Sequence, residues 1–174
     1  MDFIQDNQSD AENIPQLKIL VADDDALNQR MMHVLLTREG HHVDLASNGL
    51  EAFDAVKFQK FDIVLMDLHM PIMDGLEASR RIREWENGGQ HTFIVALTAS
   101  YLAEEGHLLF DAGIDNYISK PFEMDHIERM LKYSATAHSA FSSNSKTTFA
   151  RKLSPNEILD IQRGIDHVEG NPRS

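Results

Sequence analysis

At 174 residues the chain is long enough for one domain with a well-buried core plus tails, and too short for two domains of ordinary size. Its 28 Asp and Glu against 16 Lys and Arg give a formal net charge of -12, which repels a phosphate backbone and argues against a nucleic-acid-binding surface. There is no cysteine for a disulfide framework or thiolate site, no run approaching the roughly 20 apolar residues of a membrane span, and no basic-then-apolar leader, so the chain reads as soluble.

Residues 1–16, "MDFIQDNQSDAENIPQ", hold four acids, no Lys or Arg and no apolar period, the composition of a flexible acidic lead-in. From Leu17 the pattern changes. Strand-like apolar runs come at "LKILVA" (17–22), "HVDLA" (42–46), "FDIVLM" (61–66), "FIVALT" (93–98) and "NYIS" (116–119). Helical spacing fills the gaps: Leu27, Met31, Val34 and Leu35; then Ala52, Phe53 and Val56; then Ala78, Ile82 and Trp85. A fourth, weaker set is Leu102, Leu108, Leu109 and Ala112, and a fifth is Met124, Ile127, Met130 and Leu131. Gly40 and Gly113 stand where the first and fourth helices should stop and offer left-handed caps. "RRIREW" (80–85) reads as a solvated helix face, and the methionines Met31, Met32, Met66, Met70 and Met73 as core and loop filler.

Strands alternating with helices predict a doubly wound α/β domain with a five-stranded parallel sheet, helices covering both faces. Polar chemistry in such sheets gathers at the carboxyl ends of the strands, where strand order reverses. Those ends carry Asp23, Asp24 and Asp25 after the first run, Asp67 after the third, Thr98 after the fourth, and Lys120-Pro121 after the fifth. Two carboxylates about 4 Å apart repel by roughly 4 kcal/mol at an effective dielectric near 20. Protonation, a divalent cation or the Lys120 ammonium would relieve that repulsion, and a hard, all-oxygen cluster suits Mg²⁺.

Four stretches in order, "ILVADDD" (19–25), "VLMDLHMPIMDGLEA" (64–78), "ALTAS" (96–100) and "AGIDNYISKPF" (112–122), resemble the response-regulator receiver domain of two-component signalling over residues 17–133. The resemblance implies a flavodoxin-like sheet of order 2-1-3-4-5, the order for which a member of this family is a standing example. It implies that Asp67 accepts a phosphoryl group from phosphohistidine on a histidine kinase or histidine-phosphotransfer protein. Asp24, Asp67 and the His69 carbonyl would ligate Mg²⁺, with Asp23 assisting through water. Lys120 and Thr98 would bind phosphoryl oxygens, Thr98 and Tyr117 would form the switch, and the bond to Pro121 would be cis. His69 and Ser100, two past the aspartate and two past the threonine, sit where the family tunes loss of the phosphoryl group.

Singly, these residues have plainer readings. Asp67 could cap a turn, Asp25 suits a helix N-cap, Thr98 suits any strand, Lys120 could be solvated, and Tyr117 could be a half-buried core aromatic. A pseudo-receiver that binds partners without phosphorylation is the alternative, against which the intact Asp24, Asp67, Thr98 and Lys120 set argues. A haloacid-dehalogenase phosphatase would want aspartate where His69 stands. The nine histidines show no HxxH or HExxH spacing that would suggest zinc. Residues 134–152, rich in Ser, Thr and Ala, read as a linker, and no helix-turn-helix follows. Residues 153–174 regain an apolar pattern and weakly resemble a truncated start of a histidine-phosphotransfer domain, a frayed amphipathic tail being the plainer reading. "LNQRM" (27–31) looks like the first helix of hybrid-kinase receivers, which implies a cytoplasmic domain from a hybrid sensor histidine kinase.

Overall fold

The computed structural model describes residues 15–99, 106–121 and 123–142. Five strands alternate with five helices: β1 (Lys18–Ala22), α1 (Ala26–Arg38), β2 (His42–Ala46), α2 (Gly49–Phe58), β3 (Ile63–Asp67), α3 (Gly75–Glu86), β4 (Phe93–Thr98), α4 (Gly106–Asp111), β5 (Asn116–Ser119) and α5 (Met124–Ser142). All strand pairs are parallel and the order is β2-β1-β3-β4-β5, the expected flavodoxin-like arrangement. The order reverses between β1 and β3, so the carboxyl ends of those two strands flank a crevice.

Because side chains alternate across a strand, each run of β-branched and aliphatic residues feeds two cores. Leu20, Val64, Met66, Ile94 and Ala96 face a layer built by Ala52 and Val56 of α2, Ala78 and Ile82 of α3, and Leu109 beyond them. Ile19, Val21, Leu65, Val95 and Leu97 face Met32 and Leu36 of α1 and Ile127 and Leu131 of α5. β3 and β4 are buried along their whole length, whereas the edge strand β2 is largely exposed. Gly40 and Gly113, with φ of 95° and 78°, take the left-handed backbone expected just past α1 and α4.

Four expectations shift. In α1 the inward face is Gln29, Met32 and Leu36, while Leu27, Met31 and Val34 face water. The apolar count was misled by Gln29, a polar side chain that turns inward to satisfy backbone carbonyls. In α3, Trp85 is 45% exposed, and the buried positions beside Ala78 and Ile82 are Ser79 and Glu86. "RRIREW" is not wholly solvated either. Arg83 donates to the Gly113 and Thr92 carbonyls and pairs with Glu86 and Asp115, tying α3 to the amino ends of β4 and β5. α5 runs on to Ser142, past Tyr133, where the linker reading began, and Ser134 within it is buried. The lead-in through residue 14, Ser100, Leu102 and the stretch from 143 to the tail lie outside the described residues.

Candidate functional site

Asp67 is the last residue of β3, on the same face as Ile63 and Leu65 but at the carboxyl rim of the sheet, beyond the core that those two enter. The loop behind it is pressed against the strand end. The Gly75 N–H donates to the Leu68 carbonyl at 3.0 Å, and a Cβ on Gly75 would stand 2.2 Å from the Asp67 carbonyl oxygen, so only glycine fits. The Gly49 N–H donates to the Met73 carbonyl at 2.9 Å, fixing the far side of the loop to the start of α2. Between these anchors Ile72 takes φ 69°, inside a three-residue turn closed by the Met73 N–H on the Pro71 carbonyl at 2.7 Å.

The structure brings Asp23, Asp24 and Asp67 together, with one carboxylate oxygen from each within 4.8 Å of the others. Asp23 is 1% and Asp67 7% exposed, while Asp24 opens to solvent. Lys120 reaches in from the end of β5, its Nζ 3.0 Å from Asp67 Oδ2 and 3.1 Å from Asp23 Oδ2. Burial pulls the Lys120 ammonium toward deprotonation. Hydrogen bonds and charge from Asp67 and Asp23 outweigh that, so its pKa lies above the ordinary lysine value. Three carboxylates against one ammonium leave the cluster net negative. Its donors are all oxygen, which fits a hard divalent cation such as Mg²⁺.

The remaining predicted residues surround this cluster. The His69 backbone N–H donates to Asp67 Oδ1 at 3.1 Å, so the His69 backbone lies beside the carboxylate while its side chain is exposed. Thr98, buried at the end of β4, accepts through its carbonyl from the Lys120 N–H at 2.6 Å. Tyr117 pairs in register with Ala96 on β4 and packs half-buried against the α2–α3–α4 side of the core. The Lys120–Pro121 bond is cis. Asp25 caps α1, accepting from the Leu27 N–H at 2.7 Å, the plain role available to it.

Two residues that motif reasoning left without a role also touch the cluster: Asn28 Nδ2 lies 3.3 Å from Asp23 Oδ2, and Gln29 Nε2 donates to the Asp23 carbonyl at 2.6 Å. The available signal was their place on the inward stripe one turn before Met32.

With this geometry in hand, the comparisons with known proteins converge. The family model "Response regulator receiver domain" matches residues 19–132. Hybrid signal transduction histidine kinase I of Dictyostelium discoideum is 40% identical over 119 residues, 65% of this chain and 7% of that protein. Sensor protein GacS of Pseudomonas syringae pv. syringae is 35% identical over 162 residues, 88% of this chain and 16% of that protein. The chain thus spans a small part of these curated relatives. Among solved structures, the receiver domain of a Pseudomonas aeruginosa sensor histidine kinase, crystallised with a magnesium ion in its active-site cleft, aligns with TM-score 0.64 and 33% identity. It covers 70% of this chain and 98% of that one. The receiver domain of the Saccharomyces cerevisiae response regulator Ssk1, solved with the histidine phosphotransfer protein Ypd1, aligns with TM-score 0.66 and 25% identity over 72% of this chain and 92% of that one. This chain therefore belongs to the response-regulator receiver family.

Proposed function

We propose that the chain is the phosphoacceptor of a phosphorelay, with Asp67 taking a phosphoryl group from the phosphohistidine of a histidine kinase or histidine-phosphotransfer protein. The observation that carries this reading is the Lys120 ammonium seated between the Asp67 and Asp23 carboxylates at a rigid strand end. In the step, an Asp67 oxygen attacks phosphorus in line, an O–P bond forms as the P–N bond to imidazole breaks, and the electron pair leaves with the imidazole nitrogen. Asp67 enters ionised, so no proton need be removed from it. Lys120 balances charge on the phosphoryl oxygens, and the Thr98 hydroxyl donates to one of them. Asp23, Asp24, Asp67 and the His69 carbonyl would hold Mg²⁺. When bound, that ion supplies charge neutralisation and orientation of the phosphoryl oxygens. The magnesium in the related P. aeruginosa receiver supports the choice of ion.

The output is a protein-interaction surface. Drawing the Thr98 hydroxyl toward the phosphoryl group changes the space open to the Tyr117 ring on the neighbouring strand and shifts the population of the α4–β5–α5 face. For the donor, α1 offers Leu27, Met31 and Val34, exposed by 75, 41 and 54% and spaced by four and three residues on one face next to the acidic rim. The Ssk1–Ypd1 pairing supports a histidine-phosphotransfer protein as a partner.

The match to sensor protein GacS extends past the receiver residues, and with the match to hybrid signal transduction histidine kinase I it supports a hybrid sensor histidine kinase as the parent; a cytoplasmic place for this domain is part of the same proposal. No helix among the described residues is long and apolar enough to cross a membrane. A pseudo-receiver is less favoured, because Asp24, Asp67, Thr98 and Lys120 are all present.

The test is incubation with acetyl phosphate and Mg²⁺ followed by intact mass. The wild-type chain gains one phosphoryl group and Asp67→Asn gains none; equal labelling of the variant overturns the assignment.

A further inference from the structure

The first turns of α1 carry two adjacent amides that converge on one acid. Asn28 Nδ2 donates to Asp23 Oδ2 at 3.3 Å, and Gln29 Nε2 donates to the Asp23 carbonyl at 2.6 Å and the Ala46 carbonyl at 2.9 Å. Asp23 also donates its own N–H to the Ala46 carbonyl at 3.1 Å, and its Oδ1 accepts from the Asp25 N–H at 2.9 Å. Building on the cation site proposed above, we infer that Asn28 and Gln29 are positioning residues for the metal-binding carboxylates. Asn28 orients the Asp23 side chain, and Gln29 fixes the Asp23 backbone to the end of β2.

Charge decides why amides stand here. A Lys or Arg at position 28 could hold Asp23 Oδ2 equally well, but its positive charge would repel the divalent ion the cluster must attract. Lys120, the other donor on Oδ2, has a long stem and follows the phosphoryl oxygens once they arrive. Asn28, short and mounted on a helix, cannot follow, and it keeps Asp23 oriented after the lysine leaves. Gln29 acts one bond layer further out. The β1–β2 ladder ends at Ala22 and Ala46, and the carbonyls of Ala46 and Asp23 lie at that end. One Gln29 NH₂ group donates to both carbonyls, with the Ser47 hydroxyl a longer third contact at 3.2 Å, so the chain enters the acidic turn from a fixed point. Outer residues that orient metal ligands typically matter by about 10- to 100-fold in affinity.

The experiment is calorimetric titration of Mg²⁺ into the full chain, its Asn28→Ala variant and its Gln29→Leu variant, none of them phosphorylated. Asn28→Ala binds Mg²⁺ about tenfold more weakly, with an unchanged thermal midpoint in the absence of metal. Its labelling by acetyl phosphate is slow at limiting Mg²⁺ and returns to the wild-type rate at saturating Mg²⁺, which general loss of structure would not allow. Gln29→Leu, uncharged and unable to donate to the two carbonyls, weakens Mg²⁺ binding and also lowers the metal-free midpoint. Wild-type Mg²⁺ affinity in Asn28→Ala overturns the inference while leaving the phosphoacceptor reading intact. A wild-type chain that binds no Mg²⁺ overturns both.

Discussion

Lys120 Nζ lies 3.0 Å from Asp67 Oδ2, across 53 residues of sequence, because β5 and β3 flank β4 and end at the same rim of the sheet. The same ammonium is 3.1 Å from Asp23 Oδ2, so one cation holds two carboxylates from different strand ends. Replacing it separates the two roles proposed for it. Lys120→Ala removes a positive charge from a cation site and binds Mg²⁺ more tightly than wild type. It also removes the proposed partner of the phosphoryl oxygens, so labelling by acetyl phosphate at saturating Mg²⁺ slows by about 100-fold. Calorimetry and mass-resolved kinetics measure the two effects, and weaker Mg²⁺ binding in the variant would contradict the assignment of charge.

Gly75 sets the approach of the loop to the strand. A Cβ there meets the Asp67 carbonyl oxygen at 2.2 Å and the Leu68 Cα at 3.0 Å, both backbone atoms that cannot rotate aside. Gly75→Ala therefore costs about 2–3 kcal/mol in denaturant unfolding, in the range of overpacked cores. It also displaces Asp67, so phosphoryl acceptance falls. A variant with wild-type stability would show that the loop moves freely.

Ile72 pulls the opposite way. It is 79% exposed, so its side chain gains little from burial, yet its φ of 69° is one that β-branched residues rarely adopt. Relief of a strain of about 1–3 kcal/mol exceeds the added unfolded-state freedom of glycine, about 0.5–1 kcal/mol. Ile72→Gly is accordingly more stable by about 1 kcal/mol in chemical denaturation, and a less stable variant would contradict the strain assigned to this turn.

His41 makes stability depend on pH. Its buried Nδ1 accepts the Leu17 N–H at 3.2 Å, which requires the neutral ring. Burial holds its pKa below the ordinary value of 6.5, and the nearby charge of Glu39 only partly offsets this. Above that value the ring is neutral in both folded and unfolded chains, and His41 adds no pH dependence. As pH falls through it, the unfolded chain takes up a proton that the folded chain refuses, so stability drops until the pH passes the folded pKa. Denaturant unfolding from pH 7 to pH 5 should show a larger loss in the wild type than in His41→Gln. Parallel curves would contradict the link.

The strands were legible because residues such as Val64, Leu65 and Met66 are buried on both faces, and a central parallel strand leaves a short, unbroken apolar run bounded by turn residues. The acids and Lys120 were legible as a set of motifs, whereas the 3.0 Å contact between Lys120 and Asp67 is a product of sheet order. The α1 face was misjudged because counting apolar residues cannot reveal that Gln29 faces inward to donate to carbonyls. Arg83 and Asp115 escaped for a related reason: their pairing joins α3 to the loop before β5, and no local period marks a contact over that span. The reach of α5 past Tyr133 was hidden by the Ser and Thr content of residues 134–142, although Ser134 is accommodated by donating its hydroxyl to the Leu131 carbonyl at 2.8 Å.

The most direct measurement is reductive trapping: the chain is phosphorylated with acetyl phosphate and Mg²⁺, treated with borohydride, digested and sequenced by mass spectrometry. An acyl phosphate at the end of β3 predicts conversion of Asp67 to homoserine, abolished by omitting the phosphodonor. Conversion at Asp23 or Asp24 instead, or none in a chain that has gained a phosphoryl group, would contradict Asp67 as the acceptor.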